Sequence, residues 1–232
     1  MDRRFAWTLS GIAVAAASFG AAEPLRVAVA SNFQSALGAV ERGFSGEVQT
    51  SYGSSGLLYA QIVQGRPFDL FLSADAARPQ ALVDAGRAKS PVTYATGRLV
   101  LFVNDGTPGP AWLSADKRIA LANPETAPYG RAAVQTLARL DASPKQVTGL
   151  NVAQAFHFAS SGAADGAFAA LAQVISQDVP AERYWIVPED LHTPIEQVAV
   201  VLDGPNEARA QVFLDYLGSA AARTIIRQAG YR

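Results

Sequence analysis

Two adjacent hydroxyls stand between two glycines in Tyr52-Gly53-Ser54-Ser55-Gly56-Leu57-Leu58, directly ahead of an apolar run at helical spacing. Two kinds of chemistry are open to such a turn. A serine there can cap the helix, its oxygen accepting a hydrogen bond from one of the first N–H groups. The same turn can cradle an anion, because a helix N-terminus offers unpaired donors and partial positive charge. Ser31-Asn32 and Pro128-Tyr129-Gly130 have a similar character, each small or polar and each placed just after a strand-like segment. In an open parallel sheet the ligand crevice lies beyond the C-terminal ends of the strands, so helix starts of this kind face one region. Neutral N–H and O–H donors converging there suit a fully ionised oxyanion.

Covalent and metal chemistry find less support. The G-x-S-x-G elbow of many serine hydrolases is absent, and Ser54-Ser55-Gly56 only echoes it. His157 sits on an apolar helical segment between Phe156 and Phe158, which fits packing, and His192 in a Pro-bounded loop reads as solvated. A hydrolase using Ser54 or Ser55 with either histidine is the competing hypothesis from another class. No H-E-x-x-H, EF-hand loop, G-K-[ST] loop or G-x-G-x-x-G occurs, so neither a metal site nor a nucleotide cofactor is expected. Asp69 and Asp75 flank the run Leu70 to Leu72; Asp75 is placed to cap the next helix and Asp69 to begin the strand.

The elements that position these turns alternate. Strand-like segments at 25–30, 48–52 and 69–73 are each followed by a helical pattern, with 55–63 and 76–85 the clearest helices. Ser31 and Gln34 have the spacing of a capping box. After the apolar run Arg98 to Val103 comes a second alternating set: strand 118–122, helix 129–140, helix 152–158, strand 167–174 and strand 184–187. Another apolar run, 196–202, leads into helices 206–217 and 220–229. Alternation implies parallel sheets with crossover helices, and the two long apolar strands bracketing the middle block imply a double crossing between two lobes. Clefts between hinged lobes are where small ligands bind.

Composition narrows the class further. Arg3 and Arg4 precede an apolar run from Phe5 to Ala17, and Gly20-Ala21-Ala22 supplies small residues, the pattern of a secretory signal peptide. Residues 1–22 are therefore expected to be removed on export, leaving 23–99 and 199–232 as one lobe and 100–198 as the other. Without Asp2, Arg3 and Arg4 the 19 basic and 20 acidic residues become 17 and 19, a net charge of −2. No basic patch points to a nucleic-acid partner. The chain has no Cys, so its stability must come from its core rather than from disulfides.

These features resemble the periplasmic molybdate-binding proteins of ABC importers, the ModA type of bilobal substrate-binding protein. The matching segments are "VAVASNF" at 27–33, "YGSSGLLYAQI" at 52–62, "PFDLFLSAD" at 67–75, "LANPETAPYGRAA" at 121–133 and "NVAQAF" at 151–156. The resemblance implies an α/β fold of two lobes, each a mostly parallel sheet flanked by helices, joined by two crossover strands. It implies a periplasmic, non-enzymatic monomer that holds molybdate or tungstate between the lobes and delivers it to a membrane permease. No cofactor is implied, and molybdenum or tungsten enters only as the oxyanion. Matched by motif position, the ligand residues are Ser31, Asn32 and Ser55 from one lobe and the amides of Tyr129 and Val152 from the other. Some relatives place a ligand Tyr where this chain has only Phe168 and alanines, so Asn32 is expected to stand in for that hydroxyl. A receptor for sulfate, thiosulfate or another small anion is the alternative within the class.

Overall fold

The apolar run Leu25–Ala30 forms β1 at the heart of a sheet, and four of its six residues from Val27 on are fully or almost fully buried. The computed structural model describes residues 23–232; the expected signal peptide lies outside the described residues. A single 3-10 turn, Ser31–Phe33, connects β1 to α1 (Gln34–Glu41). Then follow β2 (Val48–Gly53), α2 (Ser55–Val63), β3 (Leu70–Ser73), α3 (Ala77–Asp84) and β4 (Val92–Gly97). The next block is β5 (Leu99–Val103), β6 (Arg118–Ala122), α4 (Pro128–Arg139), β7 (Lys145–Gly149), α5 (Val152–Ser160), β8 (Gly166–Ala170), α6 (Leu171–Ser176) and β9 (Tyr184–Ile186). The chain ends with β10 (Ile195–Val201), α7 (Glu207–Leu217) and α8 (Ala220–Gln228).

Two five-stranded sheets result, ordered β2-β1-β3-β10-β4 and β7-β6-β8-β5-β9. Both sheets obey one rule. β1, β2 and β3 are mutually parallel, while β10 is antiparallel to both β3 and β4. Likewise β6, β7 and β8 run together, and β5 opposes both β8 and β9. So four strands of each sheet point one way and one is reversed. The reversed strands, β5 and β10, are the two that enter from the other sheet. A strand arriving from the neighbouring lobe starts at the shared edge and runs away from it, whereas the others run toward it. Only Arg98 separates β4 from β5.

Each sheet is covered on both faces, as parallel strands require. In the first lobe Phe33, Leu37, Phe213 and Leu217 pack on one face and Leu58, Phe71 and Leu82 on the other. Phe168 and Leu101 belong to one core of the second lobe, Phe102 and Phe156 to its other. Among the described residues no helix is long and apolar enough to cross a membrane.

Two local expectations give way to the structure, and two strands are unforeseen. The strand expected at 167–174 stops at Ala170, and Leu171–Ser176 is helical because the Gln173 carboxamide accepts from Ala170 N–H and caps the turn. The Ser31/Gln34 capping box does not form; Ser31 lies inside the 3-10 turn, where its carbonyl accepts from Gln34 N–H. Strands β4 and β7 carried no apolar signal, since both lie at sheet edges with several exposed residues.

Asp69 behaves as structure, and Asp75 accepts from Arg78 N–H at 3.0 Å in the first turn of α3. Asp69 is buried and receives the Arg26 main-chain N–H at 2.7 Å, the Arg26 guanidinium at 3.2 and 3.3 Å, and Asn206 at 3.3 Å. Burial by itself would raise its pKa, but these donors outweigh it and the carboxyl sits below its ordinary value. A depressed pKa contributes stability above the unfolded value and loses it as pH falls through the folded one. Asp69→Asn is therefore expected to lower stability by about 1–3 kcal/mol near neutral pH, with the deficit shrinking below about pH 4. Thermal denaturation of both proteins at several pH values checks this; a deficit independent of pH would contradict it.

Candidate functional site

Four chain segments bring donors to the shared edge. β1 passes into the turn at Ser31, and β2 ends at Gly53, where Ser54 in an extended conformation hands the chain to Ser55, the first residue of α2. Across the cleft, Pro128 opens α4, where its fixed φ and missing N–H cost nothing, and Tyr129 follows. Asn151 caps α5 by accepting from the N–H groups of Ala153 and Gln154, both at 3.0 Å, which leaves the N–H of Val152 uncommitted to the cap. Helices leave their first N–H groups without carbonyl partners, so each of these starts supplies donors.

The structure brings all five sequence-derived residues together. Ser31, Asn32, Ser55, Tyr129 and Val152 line one small cavity of about 10 Å³, with Ser54 and Ala74 beside them. Among the described residues no charged side chain lines it. A larger groove of about 350 Å³ adjoins it, shares Ser31, and carries Gln173 and the exposed His157 on its walls. Among the described residues no group of three or more His, Cys, Asp or Glu is placed to hold a metal ion.

The hydrogen bonding determines what each side chain has left to offer. Ser55 Oγ accepts from Ala74 N–H at 2.9 Å, so its own hydrogen remains free to donate. Asn32 differs from expectation: both protons of its amide are taken, by Gln197 Oε1 at 2.7 Å and by Tyr231 Oη at 3.0 Å. Its side chain therefore cannot replace a ligand hydroxyl, and its main-chain N–H is what it can give. Phe168 is buried in β8 within the second-lobe core and is not part of the cavity. Tyr129 is buried, and desolvation pushes its phenol well above the ordinary value, so the hydroxyl stays neutral. Ser54, which belongs to the same two-hydroxyl turn but is not among the expected ligand residues, contributes a buried hydroxyl with no partner among the described residues to the same wall.

Neither serine engages a histidine. His192 is buried rather than solvated, because the loop folds back and its Nδ1 meets the carbonyl of Thr193 at 2.8 Å. It lines a separate cavity with Thr96, Arg98 and Arg232 near the β4–β5 crossing.

The two lobes touch at the lip of the small cavity. Gly56 N–H donates to the carbonyl of Thr126 at 2.8 Å, and Arg78, paired with Asp75, donates to the carbonyl of Glu125 at 3.2 Å. Gly56 is required for this approach, since a Cβ there would lie 2.8 Å from Thr126 O and 2.9 Å from Arg78 Nη2.

Comparison with known proteins agrees with this arrangement. Residues 13–232 match the family described as bacterial extracellular solute-binding protein. The molybdate-binding protein ModA of Rhodobacter capsulatus is 41% identical over 226 residues, covering 91% of this chain and 89% of that protein. The chain belongs to the ModA family of bacterial extracellular solute-binding proteins. ModA of Azotobacter vinelandii is 39% identical over 238 residues, covering 95% of this chain and 94% of that protein. The solved structure of the Azotobacter vinelandii periplasmic molybdate-binding protein superposes with a TM-score of 0.81 at 35% identity, covering 90% of this chain and 98% of that one. The bilobal fold expected from the sequence is thus the fold of the family.

Crowding at the lip yields a test. Gly56→Ala is expected to penalise the apposed lobes by about 1–3 kcal/mol, the usual cost of overpacking. Small-angle scattering would then report a larger radius of gyration than for the parent chain; an identical radius would mean that the lip yields instead of the lobes separating.

Proposed function

We propose that this chain is an exported, non-catalytic receptor that captures molybdate or tungstate between its lobes and delivers it to the permease of an ABC importer. The observation that carries the proposal is the uncharged cavity in which Ser31, Asn32, Ser55, Tyr129 and Val152 meet. In this reading the ligands are the hydroxyls and amides of Ser31 and Ser55 and the amides of Asn32, Tyr129 and Val152. The oxyanion is cargo rather than cofactor. The protein acts in the periplasm as a monomer after loss of residues 1–22. The lobes are 23–99 with 199–232 and 100–198 to within several residues, with the crossings near Arg98 and Pro194.

A site made of donors suits an anion that carries no proton. Phosphate near neutral pH is partly protonated and would set a donor against a donor, a costly mismatch in a buried site. Sulfate has the charge and shape of molybdate but shorter bonds, so donors spaced for the larger tetrahedron stand too far from it. Tungstate is nearly the size of molybdate and is held equally well. Closing the lobes buries the anion and creates the surface that a permease reads.

Calorimetric titration of residues 23–232 with each anion tests the proposal. Molybdate and tungstate are expected to bind tightly and sulfate and phosphate to give no heat; heat from sulfate alone would move the chain to the sulfate class. Ser55→Ala should weaken molybdate binding by about 1–3 kcal/mol, the scale of losing a donor to a buried charge. Unchanged affinity would reduce Ser55 to a helix-starting residue. Because Tyr129 stays neutral and, among the described residues, no other ionisable side chain lines the cavity, affinity should be flat from about pH 6 to 9. A titration within that range would contradict the uncharged site.

A further inference from the structure

Asn32 is held by three hydrogen bonds to two residues far away in sequence. Its amide donates to Gln197 Oε1 at 2.7 Å and to Tyr231 Oη at 3.0 Å, and the Tyr231 hydroxyl donates back to the Asn32 carbonyl at 2.7 Å. Tyr231 thus closes a ring of two hydrogen bonds on one residue, gripping side chain and main chain together. All three are buried, at 2% exposure for Asn32, 0% for Gln197 and 4% for Tyr231. Neither Gln197 nor Tyr231 lines the cavity.

Each clamp is itself fixed. Gln197 Nε2 donates to the Ile195 carbonyl of its own strand at 3.0 Å, and the register of β10 against β4 shifts between Gln197 and Val198. A polar side chain is thereby turned inward on the strand that returns from the second lobe. Tyr231 is held by its ring, edge-on to Phe33 at 5.4 Å, and by Arg232, whose main chain pairs with Thr96 at the end of the edge strand β4. The second lobe reaches the same cluster. A Cβ on Gly97 would lie 2.2 Å from Tyr129 Oη and 3.0 Å from Gln197 Nε2, so the Tyr129 phenol seats against the crossing beside Gln197.

We propose that Tyr231 and Gln197 are positioning residues that fix the Ser31-Asn32 turn and thereby set the spacing on which discrimination between oxyanions of different size depends. The inference rests on the oxyanion-receptor reading above. A donor that can shift by a few tenths of an ångström accommodates a smaller tetrahedron; a donor held by a clamped residue does not. Locking Asn32 through its carbonyl and its amide removes that freedom before any anion arrives, which is how preorganisation favours one ligand over a near-copy. Burial raises the pKa of the Tyr231 phenol, so the clamp remains a neutral hydroxyl able to donate and accept at once.

Tyr231→Phe tests the clamp, since it keeps the ring that packs on Phe33 and removes only the hydroxyl. Gln197→Met removes the other hold with little change in volume. Molybdate affinity would be measured by direct titration and sulfate affinity by competition against bound molybdate, alongside the melting temperature of the ligand-free protein. We expect each variant to bind molybdate about tenfold more weakly, the scale of a lost hydrogen bond in a buried site, with a smaller loss for sulfate. The ratio of the two affinities therefore falls by several-fold. A lower melting temperature with the ratio unchanged in both variants would overturn the inference and leave Tyr231 and Gln197 as purely structural. If the parent chain itself takes up no molybdate, the receptor reading fails, and this inference falls with it.

Discussion

Everything in this molecule is arranged around main-chain N–H groups that a helix start cannot satisfy by itself. Ser55, Tyr129 and Val152 each lie in the first two residues of a helix, and Ser31 opens the turn that leads into α1. Such groups are costly to bury unpaired. The chain buries them together in one uncharged cavity between two lobes. An arrangement of donors alone is poorly satisfied when empty and would be well satisfied by a tetrahedron of oxygens, which is why the proposed ligand is an oxyanion.

The topology follows from bringing donors from both sides. Four strands in each sheet run toward the shared edge and deliver turns to it, while β5 and β10 run away because they enter from the opposite lobe. A hinge built this way has strands at its core rather than a loose linker. The contacts across the lip are few and made with main-chain carbonyls, Gly56 to Thr126 and Arg78 to Glu125. In the proposed reading, an anion held between the lobes would add to these contacts and favour the closed arrangement.

Much of this is written locally in the sequence. Helix α2 begins at Ser55 and ends at Val63 as its spacing predicts, and the five cavity residues sit in short motifs whose neighbours in the chain are also their neighbours in space. What sequence pattern misses is set at long range. Strands β4 and β7 are recruited as sheet edges and lack an apolar stripe, and Leu171–Ser176 turns helical because of the bond between Gln173 and Ala170. His192 looks like a loop residue until the loop packs. The clamp on Asn32 spans 165 residues to Gln197 and 199 to Tyr231, so no window along the chain contains it. One signal was present: Gln197 follows Glu196 in a strand whose other residues are all apolar, and in strand alternation the two point to opposite faces, so one of these polar side chains turns inward and needs a buried partner.

The central claim is that a single oxyanion sits among Ser31, Asn32, Ser55, Tyr129 and Val152, held by neutral donors alone. Crystals of residues 23–232 grown with molybdate and measured near the molybdenum absorption edge test it most directly. The account predicts one anomalous peak between the two lobes, within hydrogen-bonding reach of those five residues and of no charged side chain. A peak seated on an arginine or lysine, or one outside this cavity, would contradict it.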